Sequence, residues 1–175
     1  MNCVLCDVSP LMCEAWSREL ARRPELAQTC NVVSGDITGL SVDAVVSPAN
    51  SFGFMRGGVD GVYTRVFGSG VEDGLRAIIR TLPSGELPVG EALTVPTGHG
   101  RIPWLISAPT MRTPSRLRDG TPVLLAARAA CRAARERGFA SVAFPGMGTG
   151  TGRLPFDAAA GAMFDGLAEA LSDEI

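Results

Sequence analysis

Residues 42–60, VDAVVSPANSFGFMRGGVD, decide how this chain folds. Val42, Ala44, Val45 and Val46 form a short apolar run, which predicts a buried strand. Pro48 has no N–H to give a central ladder, so the strand ends there. Asn50, Ser51 and Gly53 follow, then the adjacent pair Gly57 and Gly58. Val59, Val62, Tyr63, Val66 and Phe67 then recur at helical spacing, so a helix begins near Asp60. A glycine-bearing loop that leads from a strand into a helix N-terminus presents bare backbone N–H groups, a physical setting for an anion. The same sequence also suits a tight strand-to-helix turn with no ligand, and the stretch alone leaves both readings open.

Further along, residues 142–155 read VAFPGMGTGTGRLP. Again an apolar strand runs into a glycine loop, with Gly146, Gly148, Gly150 and Gly152 at alternate positions, and again a helix follows, from about Phe156. Each glycine costs backbone entropy, so four are hard to justify by turn geometry alone. Two such loops in one open sheet lie side by side at the carboxyl ends of their strands, where α/β folds bind ligands. Facing loops suit a diphosphate better than a monophosphate. Neither loop is a Walker A sequence or a G-x-G-x-x-G with an acidic ribose reader.

Outward from these loops, strands alternate with helices. Residues 2–8 suit a first strand, and Ser9-Pro10 a capped helix start. Met12, Trp16 and Leu20 mark one face of a helix that ends near Arg23, and residues 31–34 form a short strand. Ser69 with Glu72 fits a capping box for a helix through Val71, Leu75, Ile78, Ile79 and Leu82. Residues 92–95 and 104–107 read as two strands around a loop at 96–103. Residues 110–120 are the least regular part, with Arg112, Arg116 and Arg118 exposed. Leu124, Ala127, Cys131 and Ala134 line a helix face, and Gly138 stops that helix. Phe156, Ala160, Met163, Phe164, Leu167 and Leu171 give the last helix an apolar stripe, with Asp157, Asp165 and Glu169 facing away. The alternation predicts a mainly parallel sheet covered on both faces, in one domain spanning residues 1–175.

Composition bounds the chemistry. No apolar run approaches the roughly 18 residues of a membrane span, and no export signal opens the chain. A formal net charge of -2 and a pI near 5.4 argue against non-specific nucleic-acid binding. All 16 basic residues are arginine, which excludes a lysine nucleophile or Schiff base. Five cysteines without an export signal suit reduced thiols in a cytoplasm. Cys3 and Cys6 form C-x-x-C inside a strand, and one histidine leaves too few ligands for an ordinary structural zinc site. No metal or cofactor is expected.

Three stretches carry a family resemblance: GDIT at 35–38, the SPAN to GGVDG segment at 47–61, and FPGMGTG at 144–150. In this order and spacing they resemble the signature stretches of macrodomains, ADP-ribose-binding modules with a three-layer α/β/α fold around a mixed, mainly parallel sheet. The resemblance implies ligand roles that compete with plainer ones. Asp36 would accept a hydrogen bond from the adenine amino group, and the Ile37 N–H would bind a ring nitrogen, although an aspartate here also caps turns. Asn50 would reach the distal ribose, although it also suits an Asx-turn. Gly57, Gly58 and Val59 would place N–H groups at the phosphates. Gly146, Gly148, Thr149, Gly150 and Thr151 would wrap the diphosphate from the other side. Asp60 would orient or activate a water, although an acid also suits a helix N-terminus. Arg56 and Arg153 flank the loops, and His99 lies outside the matched stretches.

Two positions depart from the hydrolytic members. Ser47 stands where asparagine is usual, and Gly152 where an aromatic packs on the distal ribose, a place Phe52 or Phe54 could take. The resemblance implies a protein of NAD metabolism that hydrolyses ADP-ribose from a modified protein, nucleic acid or metabolite. The alternative is a non-catalytic reader of ADP-ribose. The sequence leaves the acceptor and the oligomeric state open.

Overall fold

A computed structural model describes residues 1–173. Its strands are β1 (Asn2–Asp7), β2 (Cys30–Ser34), β3 (Ala44–Ser47), β4 (Leu93–His99), β5 (Ile102–Ser107) and β6 (Ser141–Phe144). Its helices are α1 (Pro10–Ala21), α2 (Gly58–Phe67), α3 (Gly70–Thr81), α4 (Thr121–Glu136) and α5 (Phe156–Ser172). The sheet runs β2-β1-β6-β3-β5-β4, parallel throughout except for the antiparallel edge strand β4. This is the mixed, mainly parallel sheet of a three-layer α/β/α fold.

Side chains alternate across a strand, and β1 shows what that does here. Cys3 and Leu5 enter the core beneath α1, α4 and α5, while Val4 and Cys6 enter the opposite core beneath α2 and α3. The C-x-x-C pair is therefore split between two cores, and all five cysteines are free and buried. At the start of α1, Ser9 Oγ accepts from the Met12 N–H at 3.4 Å, and Pro10 occupies the first helical turn. Helices α4 and α5 press close: a Cβ on Gly166 would meet the Leu124 carbonyl oxygen at 2.3 Å. The acids expected on the open face of α5 are exposed there and also ion-paired, Asp157 with Arg18, Asp165 with Arg23 and Glu169 with Arg128. Such exposed pairs contribute only about 0–1 kcal/mol each.

Three local expectations change. The strand expected from Val42 begins at Ala44 and reaches Ser47, stopping before Pro48 as its missing N–H requires. The loop expected at 96–103 shrinks to Gly100 and Arg101, because β4 continues through Pro96 to His99 on the sheet edge with a register shift between them. An edge strand tolerates a proline whose nitrogen faces outward. The Ser69–Glu72 capping box does not form: Ser69 is itself helical in φ and ψ and makes no cap bond. Glu72 instead accepts from the Met55 N–H at 2.9 Å. No helix among the described residues is long and apolar enough to cross a membrane.

Candidate functional site

β6 lies between β1 and β3, all parallel. The glycine loops leaving β3 and β6 therefore sit side by side at the carboxyl ends of the strands. Two cavities open there, of about 310 and 200 Å³. They meet at Gly58, Val59, Gly146 and Gly150, so they form one groove with a neck between the loops. One end holds Asp36, Ile37 and Thr149. The other holds Asn50, Gly57, Asp60, Gly148 and Thr151. The residues given a ligand or catalytic role by the resemblance, from Asp36 and Ile37 through Asn50 and Gly57 to Asp60 and Gly146 to Thr151, thus line the groove.

The neck is built of backbone. Gly57 caps α2, and Gly58 opens it at φ +54, a left-handed value that suits glycine. The first N–H groups of a helix have no helical acceptor, so those of Gly58, Val59 and Asp60 are free to face an anion. The loop after β6 divides its four glycines. A Cβ on Gly146 would meet Asp7 Oδ2 at 2.8 Å, one on Gly148 would meet Val123 at 2.6 Å, and one on Gly152 would meet the Gly148 carbonyl at 2.5 Å. Packing beneath the loop explains those three, whereas Gly150 alone has open space around its missing Cβ. Leu117 fills the space between Gly148 and Gly152, and its N–H donates to the Gly152 carbonyl at 2.9 Å. No side chain fits at position 152.

Asp60 is buried in the wall of the second cavity. The Ser47 hydroxyl, itself fully buried at the end of β3, donates a short hydrogen bond to Asp60 Oδ1. Oδ2 has no protein partner among the described residues. Burial pushes the carboxyl up to about 7, against the Ser47 bond that pulls it down, and the charge of Glu72 adds a smaller upward push. A carboxyl that exchanges its proton near neutrality can serve as a general base. Asn50 closes an Asx-turn: Oδ1 accepts from the Phe52 N–H at 3.1 Å, and the amide donates to the Phe54 carbonyl at 3.0 Å. Asp36 likewise caps its turn, Oδ1 accepting from the Thr38 N–H at 2.9 Å, and leaves Oδ2 for the groove.

The remaining candidates separate. Phe54 lines the second cavity with the Arg76 guanidinium 4.0 Å from its ring centre, while Phe52 lies outside beneath Arg112. Arg56 and Arg153 line neither end of the groove. His99 pairs with Ile102 where β5 begins, at the opposite end of the sheet, and packs on Phe67. One site residue went unread in the sequence. Asp7 lines the first cavity and binds two N–H groups, of Ser9 at 2.8 Å and of Gly146 at 3.0 Å. Its second partner lies 139 residues away, so no local pattern marks it.

Comparisons with known proteins follow the same lines. The chain is 40% identical to an uncharacterized protein of Aquifex aeolicus, over 77% of this chain and 78% of that one. It is 34% identical to a protein of Salmonella gallinarum named O-acetyl-ADP-ribose deacetylase, over 71% of this chain and 69% of that one. A variant of the Oceanobacillus iheyensis macrodomain solved with ADPR superposes with a TM-score of 0.68 at 20% identity, covering 77% of this chain and 74% of that one. The Macro domain family model matches residues 46–163, and the chain belongs to that family.

Proposed function

We propose that residues 1–175 form one domain that binds ADP-ribose or a derivative along this groove and hydrolyses the bond between the distal ribose and its substituent. The observation that carries the catalytic half is Asp60: a buried carboxyl on the cavity wall, fixed by Ser47 through one oxygen, with the other unpartnered among the described residues. The adenine lies at Asp36 and Ile37, the diphosphate in the neck of backbone N–H groups, and the distal ribose beside Asn50 and Asp60. The ADPR-bound macrodomain and the deacetylase named among the relatives support this ligand class. Asp60 accepts a proton from a water as that water attacks the bond, and the proton then passes to the leaving group. Held near 7, the carboxyl is ionised in a large fraction of molecules at neutral pH and still basic enough to help. The free, buried thiols suit a reducing cytoplasm.

A non-catalytic reader is the second reading, favoured by Asn50, whose side chain closes its own loop. A hydrolysis panel decides between them: O-acetyl-ADP-ribose, ADP-ribosylated peptides and ADP-ribosylated oligonucleotides. Turnover of at least one class is expected, falling at least about a hundredfold in Asp60→Ala, since a general base is typically worth about 10²–10⁴-fold. Binding of ADP-ribose without turnover of any class establishes the reader.

A further inference from the structure

The nucleoside end of the groove holds two carboxylates, Asp7 and Asp36, and no arginine or histidine among its lining residues. Sheet order sets them in sequence. Asp36 follows β2, Asp7 ends β1 and Gly146 follows β6, and these three strands are neighbours in that order. Adjacent strands lie about 4.8 Å apart. A nucleoside with its base at Asp36 and its phosphates at the neck therefore passes its ribose over the end of β1.

Asp7 is half-buried and held at both oxygens, Oδ1 by the Ser9 N–H and Oδ2 by the Gly146 N–H. A carboxylate oxygen has a second lone pair beyond such a bond, so each can still accept from a ribose hydroxyl. A phosphate at the same place finds no compensating donor charge. Helix α1 begins beside Asp7, but Pro10 has no N–H and the Met12 N–H is already given to Ser9 Oγ, which leaves the Leu11 N–H, among the described residues, as the one free donor of its first turn against two carboxylates.

We propose that Asp7, with Asp36, makes the groove select ADP-ribose whose adenosine ribose carries free hydroxyls and reject the same ligand bearing a 2′-phosphate there. The inference rests on the ADP-ribose reading above. A phosphate group brings about 1.5–2 negative charges, and beside a carboxylate in a partly desolvated cavity that repulsion is large. The chain then serves ADP-ribose derived from the dinucleotide without a 2′-phosphate and ignores that derived from its phosphorylated counterpart.

Calorimetry with ADP-ribose and with 2′-phospho-ADP-ribose, at low salt and at about 1 M salt, tests this. Parental protein should bind the phosphorylated ligand at least about tenfold more weakly at low salt, and the ratio should shrink at high salt, because salt screens charge repulsion. In Asp7→Asn, confirmed folded by its melting curve, the ratio should fall toward one. Equal affinities for the two ligands in parental protein would overturn the proposal. A ratio indifferent to salt and to Asp7→Asn would also overturn it, since exclusion would then be steric. Failure of ADP-ribose itself to bind would instead overturn the reading of the groove on which the proposal rests.

Discussion

At Asp60 the carboxyl would ionise near 3.8 in the open chain but near 7 in the fold, because burial penalises its charge. Below both values the two states bind the proton equally and the residue costs nothing. As pH rises from about 4 to 7 the unfolded chain releases that proton while the fold retains it, so stability falls across this window and then levels off. At 1.36 kcal/mol per pH unit the loss is at most about 4 kcal/mol. Asp60→Asn keeps an oxygen for the Ser47 hydroxyl and removes the charge. It should melt higher than parental protein at pH 8, with the advantage vanishing near pH 4. Melting curves that run parallel across this range would mean that the carboxyl is not desolvated. The same variant should lack turnover, and parental turnover should rise with pH around a midpoint near 7. This follows from burial that no local sequence shows; Asp60 takes its water-orienting role from the family resemblance alone, and the local pattern at 50–60 reads as a glycine loop and a helix start. Asp36 was more legible, because a GDIT string announces a turn. Asp36→Ala should weaken ADP-ribose by on the order of tenfold or more, for a lost bond to a charged acceptor costs about 1.5–3 kcal/mol. A folded variant with unchanged affinity in calorimetry would remove Asp36 from the site.

Among the elements, the loop from β6 to α5 shows where sequence reading succeeds and where it stops. Its glycines mark close approach of backbone, but the sequence cannot say whether the approach is to a ligand or to the protein. The structure separates them. Gly148 sits at φ +79 with Val123 and Leu117 where a Cβ would go, whereas Gly150 faces open groove at an ordinary φ. Gly150→Val should therefore leave the melting temperature within a few degrees and abolish ADP-ribose binding by filling the neck. Gly148→Val should instead destabilise the fold, by about 1–3 kcal/mol for overpacking alone and more for the left-handed backbone. If Gly150→Val binds ADP-ribose as before, the phosphates do not pass between these loops. Helices and strands were legible because their apolar periods are long and regular. The Ser69–Glu72 pair misled because Glu72 answers a longer-range demand, the Met55 N–H in the loop before α2. Tertiary need of that kind overrides a local motif.

Across the whole molecule, the groove and the α4–α5 core occupy different parts of one sheet system, which permits a test of how far they are coupled. Gly166 lies ten positions into α5, about 15 Å along the helix from its start, where its missing Cβ lets α4 come close at Leu124 and Arg128. Gly166→Ala should force the helices apart and cost about 1–3 kcal/mol, lowering the melting temperature by roughly 2–12 °C for a chain of this size. ADP-ribose at a hundred times its dissociation constant should stabilise the parental fold by about 2.7 kcal/mol. The variant keeps both glycine loops and the ends of β1, β2, β3 and β6, so the ligand should raise its melting temperature by the same amount. Parallel ligand-induced shifts in thermal melts would show that the α4–α5 interface carries stability and not the site. A ligand shift that collapses in Gly166→Ala would mean that α5 transmits core packing to the β6 loop, and the groove would then have to be treated as part of the core that supports it.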